Sequence, residues 1–278
     1  MNGRTLALCS IIAIAAILGT GLISRSQDRA DDAGEALSPI TPLSHSVAVS
    51  PTDAIWDILG RVNRNRIVND LHLLAGEQPI CTSSGCYTAA NRLTGSEGLR
   101  WAMDYIYEVL VGLDYAVDFR DWSHSGKADR NLIARKVGVF APGEQVLFVA
   151  HVDGVQKGAE ERFPAADDNA SGAVDLLETA RVLSTYSFSR TLVLLFTTGE
   201  EQGSLGSRSY VDQLPPEEFS AITVVVNVDM VGYDANGDGV MELWHGDHSP
   251  SVAVTQTMSE TINAYEVDLT PRIIVGCG

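Results

Sequence analysis

The sequence predicts an α/β fold, with a mixed, largely parallel central sheet and helices on both faces. Short apolar runs at residues 132–134, 146–150, 192–196 and 222–228 carry this prediction. They lack polar alternation, which is typical of strands that are buried on both sides. Between the second and third runs, residues 170–186 repeat apolar side chains at helical spacing, so that strand, helix and strand follow one another.

A second helix is predicted at residues 96–111, where apolar side chains recur every three to four positions. The chain has 278 residues, of which 45% are hydrophobic and 20% charged. This composition excludes a disordered or collagen-like chain and allows a sizeable core. The net charge of −17 would repel phosphate backbones, so nucleic acid is not an expected partner.

The N-terminus resembles a targeting segment rather than part of the fold. Residues 6–23 carry no charge and lie between Arg4 and Arg25. The run is longer than an ordinary cleaved apolar region of about 7 to 15 residues and fits a spanning helix of about 17 to 25. We therefore predict a signal peptide or membrane anchor at 1–24, and leave open cleavage or anchorage through residues 6–23. Either implies an extracytoplasmic protein, secreted or anchored with its folded domain outside.

Two further boundaries follow from composition. Residues 25–50 are rich in Ser, Pro, Asp and Ala without apolar periodicity, which predicts a flexible linker. The folded domain is predicted at 51–278. Within it, Cys81 and Cys86 flank a short Ser/Gly loop, and in an exported protein we expect them to form a disulfide; Cys277 has no evident partner.

Metal-competent side chains follow three of the predicted strands. His151 and Asp153 end one apolar run, Glu200 and Glu201 follow the next, and Asp229 follows the last. Ligands in open α/β sheets bind beyond the carboxyl ends of the strands, because loops and helix N-termini converge there. Each group taken alone has an ordinary alternative as a surface residue.

Asp168 adds a carboxylate at the start of the predicted helix 170–186, where acids also serve as helix caps. Imidazole and carboxylate groups suit Zn²⁺, and a paired site needs one bridging carboxylate and a further one left free as a base. Unpaired acids at adjacent strand ends would repel one another without a cation. The combination therefore predicts a metal site.

At these residues the sequence resembles a known family. The segments are AHVDGV, PAADDNASG, TTGEEQGSLGSRSY and VNVDMVGY. They occur in the order and spacing of the secreted zinc aminopeptidases related to bacterial leucyl aminopeptidase, which are co-catalytic di-zinc exopeptidases. The resemblance runs from about Asn91 to the last residue. It implies a zinc-exopeptidase (phosphorylase/hydrolase-like) fold, here with its last elements missing.

The resemblance also implies residue roles. His151, Asp168 and Asp229 would hold one Zn²⁺, and Asp168 would bridge to a second that Glu201 also binds. Asp153 would orient His151, since a metal-binding imidazole usually donates its other N–H to a carboxylate. The Asp168–Asn169 peptide matches a position that is cis in the family.

By the same resemblance, Glu200 is the general base of metal-assisted hydrolysis of the first peptide bond, and peptide or protein N-termini are the substrates. The family's fifth ligand, a late His after a Cys-Gly pair, has no counterpart before the chain stops at Gly278. His245 and His248 come earlier and are expected on a loop or the surface. We therefore expect a C-terminally truncated chain in which only one of two zinc sites is fully liganded.

Other functions remain open on the same fold. Glutaminyl-peptide cyclotransferases resemble this family but use the site whose last His is missing here. Carboxypeptidase activity depends on pocket residues that carry no motif. An inactive fragment or binding module is the third alternative, because the last ligand is absent. Substrate preference and oligomeric state are not indicated by any motif.

Overall fold

A five-stranded mixed sheet organises the described part of the chain. The computed structural model describes residues 51–155 and 162–276, together with the backbone of Leu22–Ile23. Apart from Leu22–Ile23, the predicted targeting run lies outside the described residues, as do the linker and Cys277. Among the helices that are described, none has the length and apolar character needed to cross a membrane.

The strands in chain order are β1 (Leu22–Ile23), β2 (Ile80–Thr82), β3 (Gly85–Tyr87), β4 (Ala116–His124), β5 (Lys127–Lys136), β6 (Ala141–His151), β7 (Ser187–Phe188), β8 (Arg190–Thr197), β9 (Ile222–Asn227), β10 (Val240–His245) and β11 (Thr270–Val275). The helices are α1 (Asp53–Gly60), α2 (Arg64–Leu74), α3 (Glu97–Gly112), α4 (Gly172–Leu183), α5 (Leu205–Asp212), α6 (Pro216–Ala221) and α7 (Ser249–Ala264).

The central sheet has the order β4-β5-β8-β6-β9. Strands β8, β6 and β9 are parallel neighbours, whereas β5 runs antiparallel to both β4 and β8. The mixed, largely parallel sheet of the sequence prediction is therefore confirmed. Because β6, β8 and β9 are parallel, their carboxyl ends meet at one edge, where the predicted site residues lie.

Helices cover both faces of this sheet. Alternate strand residues such as Leu132, Phe148 and Leu194 are fully buried in the large core that also contains side chains of α3 and α4. Residues of opposite parity, including Leu147 and Val193, form a smaller core with Tyr210 of α5. The period of two in a strand sends successive side chains to opposite faces, so the two cores share the same strands.

Strand β9 departs from the prediction of strands buried on both sides. It lies at the edge of the sheet, and its residues alternate between half-buried and exposed. Val225, for example, is 56% exposed. An apolar run without alternation did not distinguish a central strand from this edge position.

Two local predictions are confirmed. The helix expected at 96–111 is α3, which Ser96 caps by accepting a hydrogen bond from the Leu99 amide at 3.2 Å. Cys81 and Cys86 lie opposite each other in the β2–β3 hairpin and form a disulfide.

The C-terminal elements form a separate βαβ unit, in which β10 and β11 pair in parallel and α7 connects them. Tyr265, just after α7, packs against Trp56 of α1 and accepts a hydrogen bond from the Thr52 amide. The prediction for His245 was wrong, since it is the last residue of β10 and is 9% exposed. His248 is exposed, as expected.

Candidate metal centre

His151 is the last residue of β6 and is only 3% exposed. Its Nδ1 lies 3.0 Å from the backbone carbonyl oxygen of Asp153, which can only accept a hydrogen bond. The proton of a neutral ring is therefore on Nδ1. The lone pair of the neutral ring is then on Nε2, the nitrogen that lies close to Asp168 and Asp229.

Two carboxylates meet that nitrogen. Asp168 Oδ1 lies 3.3 Å and Asp229 Oδ2 3.6 Å from His151 Nε2. The three residues each offer one ligand atom, and these atoms all lie within 4.8 Å of one another. The structure thus brings together three of the four predicted ligands, which come from the ends of β6 and β9 and from the turn before α4.

This arrangement requires positive charge. Burial would lower the pKa of His151, but its contacts with Asp153 and Asp229 outweigh burial and raise the pKa to about 10. Without a cation, a proton must lie between imidazole and carboxylates to offset their repulsion. A divalent ion would serve the same purpose, and an imidazole with two carboxylates is a donor set that suits Zn²⁺.

Glu201, the fourth predicted ligand, lies beside the three-residue group rather than in it. Its Oε1 is buried and has no hydrogen-bond partner within residues 51–155 and 162–276. Burial and the charge of Asp168 raise the pKa of its carboxyl to about 7. A buried carboxylate oxygen that lies close to another acid and accepts no hydrogen bond is suited to bind a cation.

Asp153 contacts both His151 and the turn after β8. Its carboxylate lies 3.7 Å from His151 Nδ1, and its backbone carbonyl oxygen lies nearer, at 3.0 Å. The fully buried carboxylate also accepts hydrogen bonds from the amides of Glu200 and Glu201, at 3.2 and 3.3 Å. Asp153 therefore holds the end of β6 against the turn that presents both glutamates.

Glu200 opens the 3₁₀ turn Glu200–Gln202 after β8. Its Oε1 lies 3.3 Å from the Ser204 hydroxyl, which donates to it. The side chain lines a cavity of about 230 Å³ together with His151, Asp229 and Ser204. A larger cavity of about 900 Å³ lies between the start of α3 and the β4–β5 hairpin, and none of the predicted site residues lines it.

The Asp168–Asn169 peptide is cis, as expected. Asn169 itself was not predicted to have a role, but its buried amide connects two ligand-bearing segments. Its Oδ1 accepts hydrogen bonds from the amides of Gly172 and Met230, and its Nδ2 donates to the carbonyl of Val228. It therefore holds the end of β9, and with it Asp229, against the start of α4.

Arg92 is a second residue that sequence reasoning missed. It is buried behind the loops that carry His151 and Asp168, and its side chain donates to backbone carbonyls of both loops. No sequence signal could have indicated this, because carbonyl acceptors are present at every position.

Comparison with known proteins is consistent with this geometry. A family model described as Peptidase family M28 matches residues 131–274. The chain belongs to this peptidase family. The match begins in β5 and ends in β11, so it includes all the strands that carry the candidate site.

Curated relatives include a leupeptin-inactivating enzyme and a probable leucine aminopeptidase. Leupeptin-inactivating enzyme 1 of Streptomyces exfoliatus is 33% identical over 144 residues, which are 51% of this chain and 32% of that protein. A probable leucine aminopeptidase 2 of Aspergillus oryzae is 27% identical over 196 residues, or 65% of this chain and 38% of that protein. The chain thus spans about a third of the length of these relatives.

Solved structures share the fold. The LapA aminopeptidase of Legionella pneumophila superimposes with a TM-score of 0.62 at 18% identity, covering 89% of this chain and 62% of that one. A glutaminyl cyclase of Macrostomum lignano gives 0.60 at 16% identity, covering 87% and 80%. At these identities the likeness concerns architecture and does not separate the two activities.

Proposed function

We propose that this chain is a zinc-dependent exopeptidase, and specifically an aminopeptidase that hydrolyses the first peptide bond of its substrates. The observation that carries the proposal is the shared cavity. Glu200, a carboxylate with no cationic partner among the described residues, lines the same space as His151 and Asp229. A free base next to a cluster of metal-competent groups is the arrangement that metal-assisted hydrolysis requires.

The residues present fit a zinc ion. His151, Asp168 and Asp229 would hold it, and Asp168 with Glu201 would contribute to a second ion. The convergence of three ligand atoms and the unpartnered buried oxygen of Glu201 support this assignment. A bound zinc would polarise the scissile carbonyl and lower the pKa of a water molecule, so that the water could lose a proton and attack near neutral pH.

The chain's own residues would supply the proton transfers. Glu200 would accept the proton of the attacking water at its carboxylate and deliver it to the leaving amine. Asp153 would fix the position of Glu200 through the amide that its carboxylate already holds. Ser204, which donates to Glu200, would keep that carboxylate facing the cavity.

The free α-amino group of the substrate is positively charged, and the acids at this edge of the sheet would attract it. Asp168 and Asp229 are each about one-third exposed, so a ligand can reach them from solvent. A curated relative named as a probable leucine aminopeptidase favours aminopeptidase activity over the alternatives. Peptide or protein N-termini are therefore the proposed substrates.

A panel of substrates tests the proposal. The purified chain is loaded with zinc and given an aminoacyl nitroanilide, a peptide with a blocked N-terminus and a peptide with N-terminal Gln. We expect hydrolysis of the anilide and no reaction of the blocked peptide, with loss of the hydrolysis on chelation and recovery when zinc is returned. Trimming of the blocked peptide would indicate a carboxypeptidase, and cyclisation of the Gln peptide a cyclotransferase. Hydrolysis that chelation leaves unchanged would contradict the metal assignment.

A further inference from the structure

A buried arginine lies directly behind the candidate metal centre. Arg92 is 1% exposed. Its Nε donates to the carbonyl of Val152 at 2.8 Å, and its Nη2 donates to the carbonyl of Ala165 at 2.8 Å. Its Nη1 donates to the carbonyls of Pro164, at 2.8 Å, and of Leu74. One guanidinium therefore connects three separate backbone segments.

Two of these segments carry the candidate ligands. Val152 directly follows His151, and Ala165 opens the turn that leads to Asp168. The backbone of Arg92 adds to the connection, because its carbonyl accepts a hydrogen bond from the Gly154 amide at 2.9 Å. Both the main chain and the side chain of one residue thus hold the end of β6, and the side chain holds the second loop against it.

The positive charge of Arg92 is not balanced by a carboxylate in direct contact with it. Within residues 51–155 and 162–276, no carboxylate forms an ion pair with it, and its partners are neutral carbonyls. Burial lowers its pKa to about 10, against the opposing charges of Asp153 and Asp168. Burying a cation among neutral dipoles alone costs free energy. The charges that offset this cost are the carboxylates of Asp153 and Asp168, which lie beyond the backbone that Arg92 binds.

We propose that Arg92 is a positioning residue for the metal centre, whose planar guanidinium sets the separation between the segments that present His151 and Asp168. The inference rests on the proposed function, because it assumes that these residues hold a cation. Metal ligands need distances held within a few tenths of an ångström, and groups that orient the ligands influence metal affinity nearly as strongly as some ligands do.

Lysine cannot replace this group. An ammonium is a compact point charge with three donors, whereas the guanidinium has five donors in a fixed plane. Arg92→Lys therefore keeps the positive charge and loses the geometry. This distinction matters because removing the charge alone would increase the attraction of the acids for a cation, while loosening the loops would decrease it.

The test measures zinc affinity of the intact chain, by competition with a chromophoric chelator, and thermal unfolding of the same samples. For Arg92→Lys we expect zinc binding about 10- to 100-fold weaker than in the parent. Arg181→Lys is the matched control, because Arg181 is also largely buried but pairs with Asp70 and Glu178 away from the centre. It should lose stability and keep the parent's zinc affinity.

Two results would overturn the proposal: unchanged zinc affinity in Arg92→Lys, or an equal loss of affinity in Arg181→Lys. These results are distinguishable from failure of the proposed function. A parent chain that binds zinc but hydrolyses nothing would contradict the aminopeptidase, while the affinity comparison at Arg92 would still give an answer.

A measurement on the unmodified chain keeps the test available if Arg92→Lys does not fold. Hydrogen exchange of the Arg92 Nε–H is followed by NMR in the zinc-free and zinc-loaded protein, with the Arg66 Nε–H, which donates to Glu178, as internal reference. We expect zinc to slow exchange at Arg92 at least about tenfold, since it ties the two loops together, and to leave Arg66 unchanged. Equal exchange at Arg92 in both states would overturn the proposal.

Discussion

Two clusters of acidic side chains in this molecule differ in how their negative charges are neutralised. Between α2 and α4, the fully buried Glu178 accepts hydrogen bonds from Arg66 at 2.6 and 2.9 Å, and the nearby Asp70 pairs with Arg181 at 2.5 Å. Each acid there has an arginine of its own, and Tyr105 donates a further hydrogen bond to Asp70.

At the carboxyl edge of the sheet, the acids converge on one another instead. Asp168 and Asp229 share a single imidazole, and Glu201 has a buried oxygen that finds no hydrogen-bond partner in the part of the chain that the structure describes. Arg92, the buried cation nearby, donates to backbone carbonyls. The first cluster is neutralised by arginines of the protein itself, whereas the His151 imidazole is the only charged partner in contact with Asp168 and Asp229 among the described residues. We infer that the first cluster is a structural network and that the second binds a cation, although both consist of charged residues.

The largest expected effect is on catalysis. Glu200→Gln should reduce hydrolysis of an aminoacyl nitroanilide by about 10² to 10⁴-fold, because the amide cannot accept the water proton. Bound zinc should remain nearly unchanged, since Glu200 is not one of the proposed ligands. Steady-state kinetics and metal analysis check both statements. Glu217→Gln, on exposed helix α6, is the control and should keep full activity. Full activity in Glu200→Gln would remove Glu200 from the mechanism.

The second effect is on stability. Glu178→Gln should lower the free energy of unfolding by about 3 kcal/mol, because it leaves Arg181 in a mostly buried site with one partner fewer. Arg66 is 41% exposed and can be hydrated, which keeps the loss at this level. Urea denaturation measures the change. Glu97→Gln, which breaks an exposed pair with Arg100, should cost less than about 1 kcal/mol.

Zinc affinity of Glu178→Gln should equal that of the parent. A loss of zinc binding there would show that the two clusters are coupled, and the distinction between them would fail.

A third prediction concerns the response to zinc. At a zinc concentration of 100 times its dissociation constant, the parent should gain about 2.7 kcal/mol of stability. Asp168→Asn should lose most of this gain. Without metal, the variant should be no less stable than the parent, because the change removes one of several mutually repelling charges. Thermal unfolding with and without zinc tests both parts.

Asp118→Asn, at an exposed position of β4, is the control and should respond to zinc as the parent does. If metal-free Asp168→Asn unfolded much more easily than the parent, Asp168 would be a structural residue like Glu178.

The smallest effect is expected at the Cys81–Cys86 disulfide, which belongs to neither cluster. The bond closes a loop with a sequence separation of 5, so replacing both residues by Ser should cost about 2 kcal/mol. Zinc affinity of the folded variant should remain that of the parent, as measured by chelator competition. A weaker zinc site would mean that the hairpin contributes to positioning the metal loops.

Several features were predictable because their signals are local. Apolar runs indicated β5, β6, β8 and β9, and the periodicity over 96–111 indicated α3. The cysteine spacing indicated the disulfide, and the positions directly after the strands indicated most residues of the candidate centre. Hydrophobic patterning and strand-end chemistry depend on neighbouring positions, so a single sequence contains them.

The sequence by itself determined which side chains follow each strand, and thus the types of ligand available. Only the tertiary structure decided how they are held. The strand order placed β9 at an edge with one side exposed, and it brought Asp229 to His151. Asn169, Arg92 and the carboxylate of Asp153 hold the site by hydrogen bonds to the backbone of distant segments. Every residue has a backbone carbonyl, so such contacts leave no pattern in the sequence, and they exist only once the chain has folded.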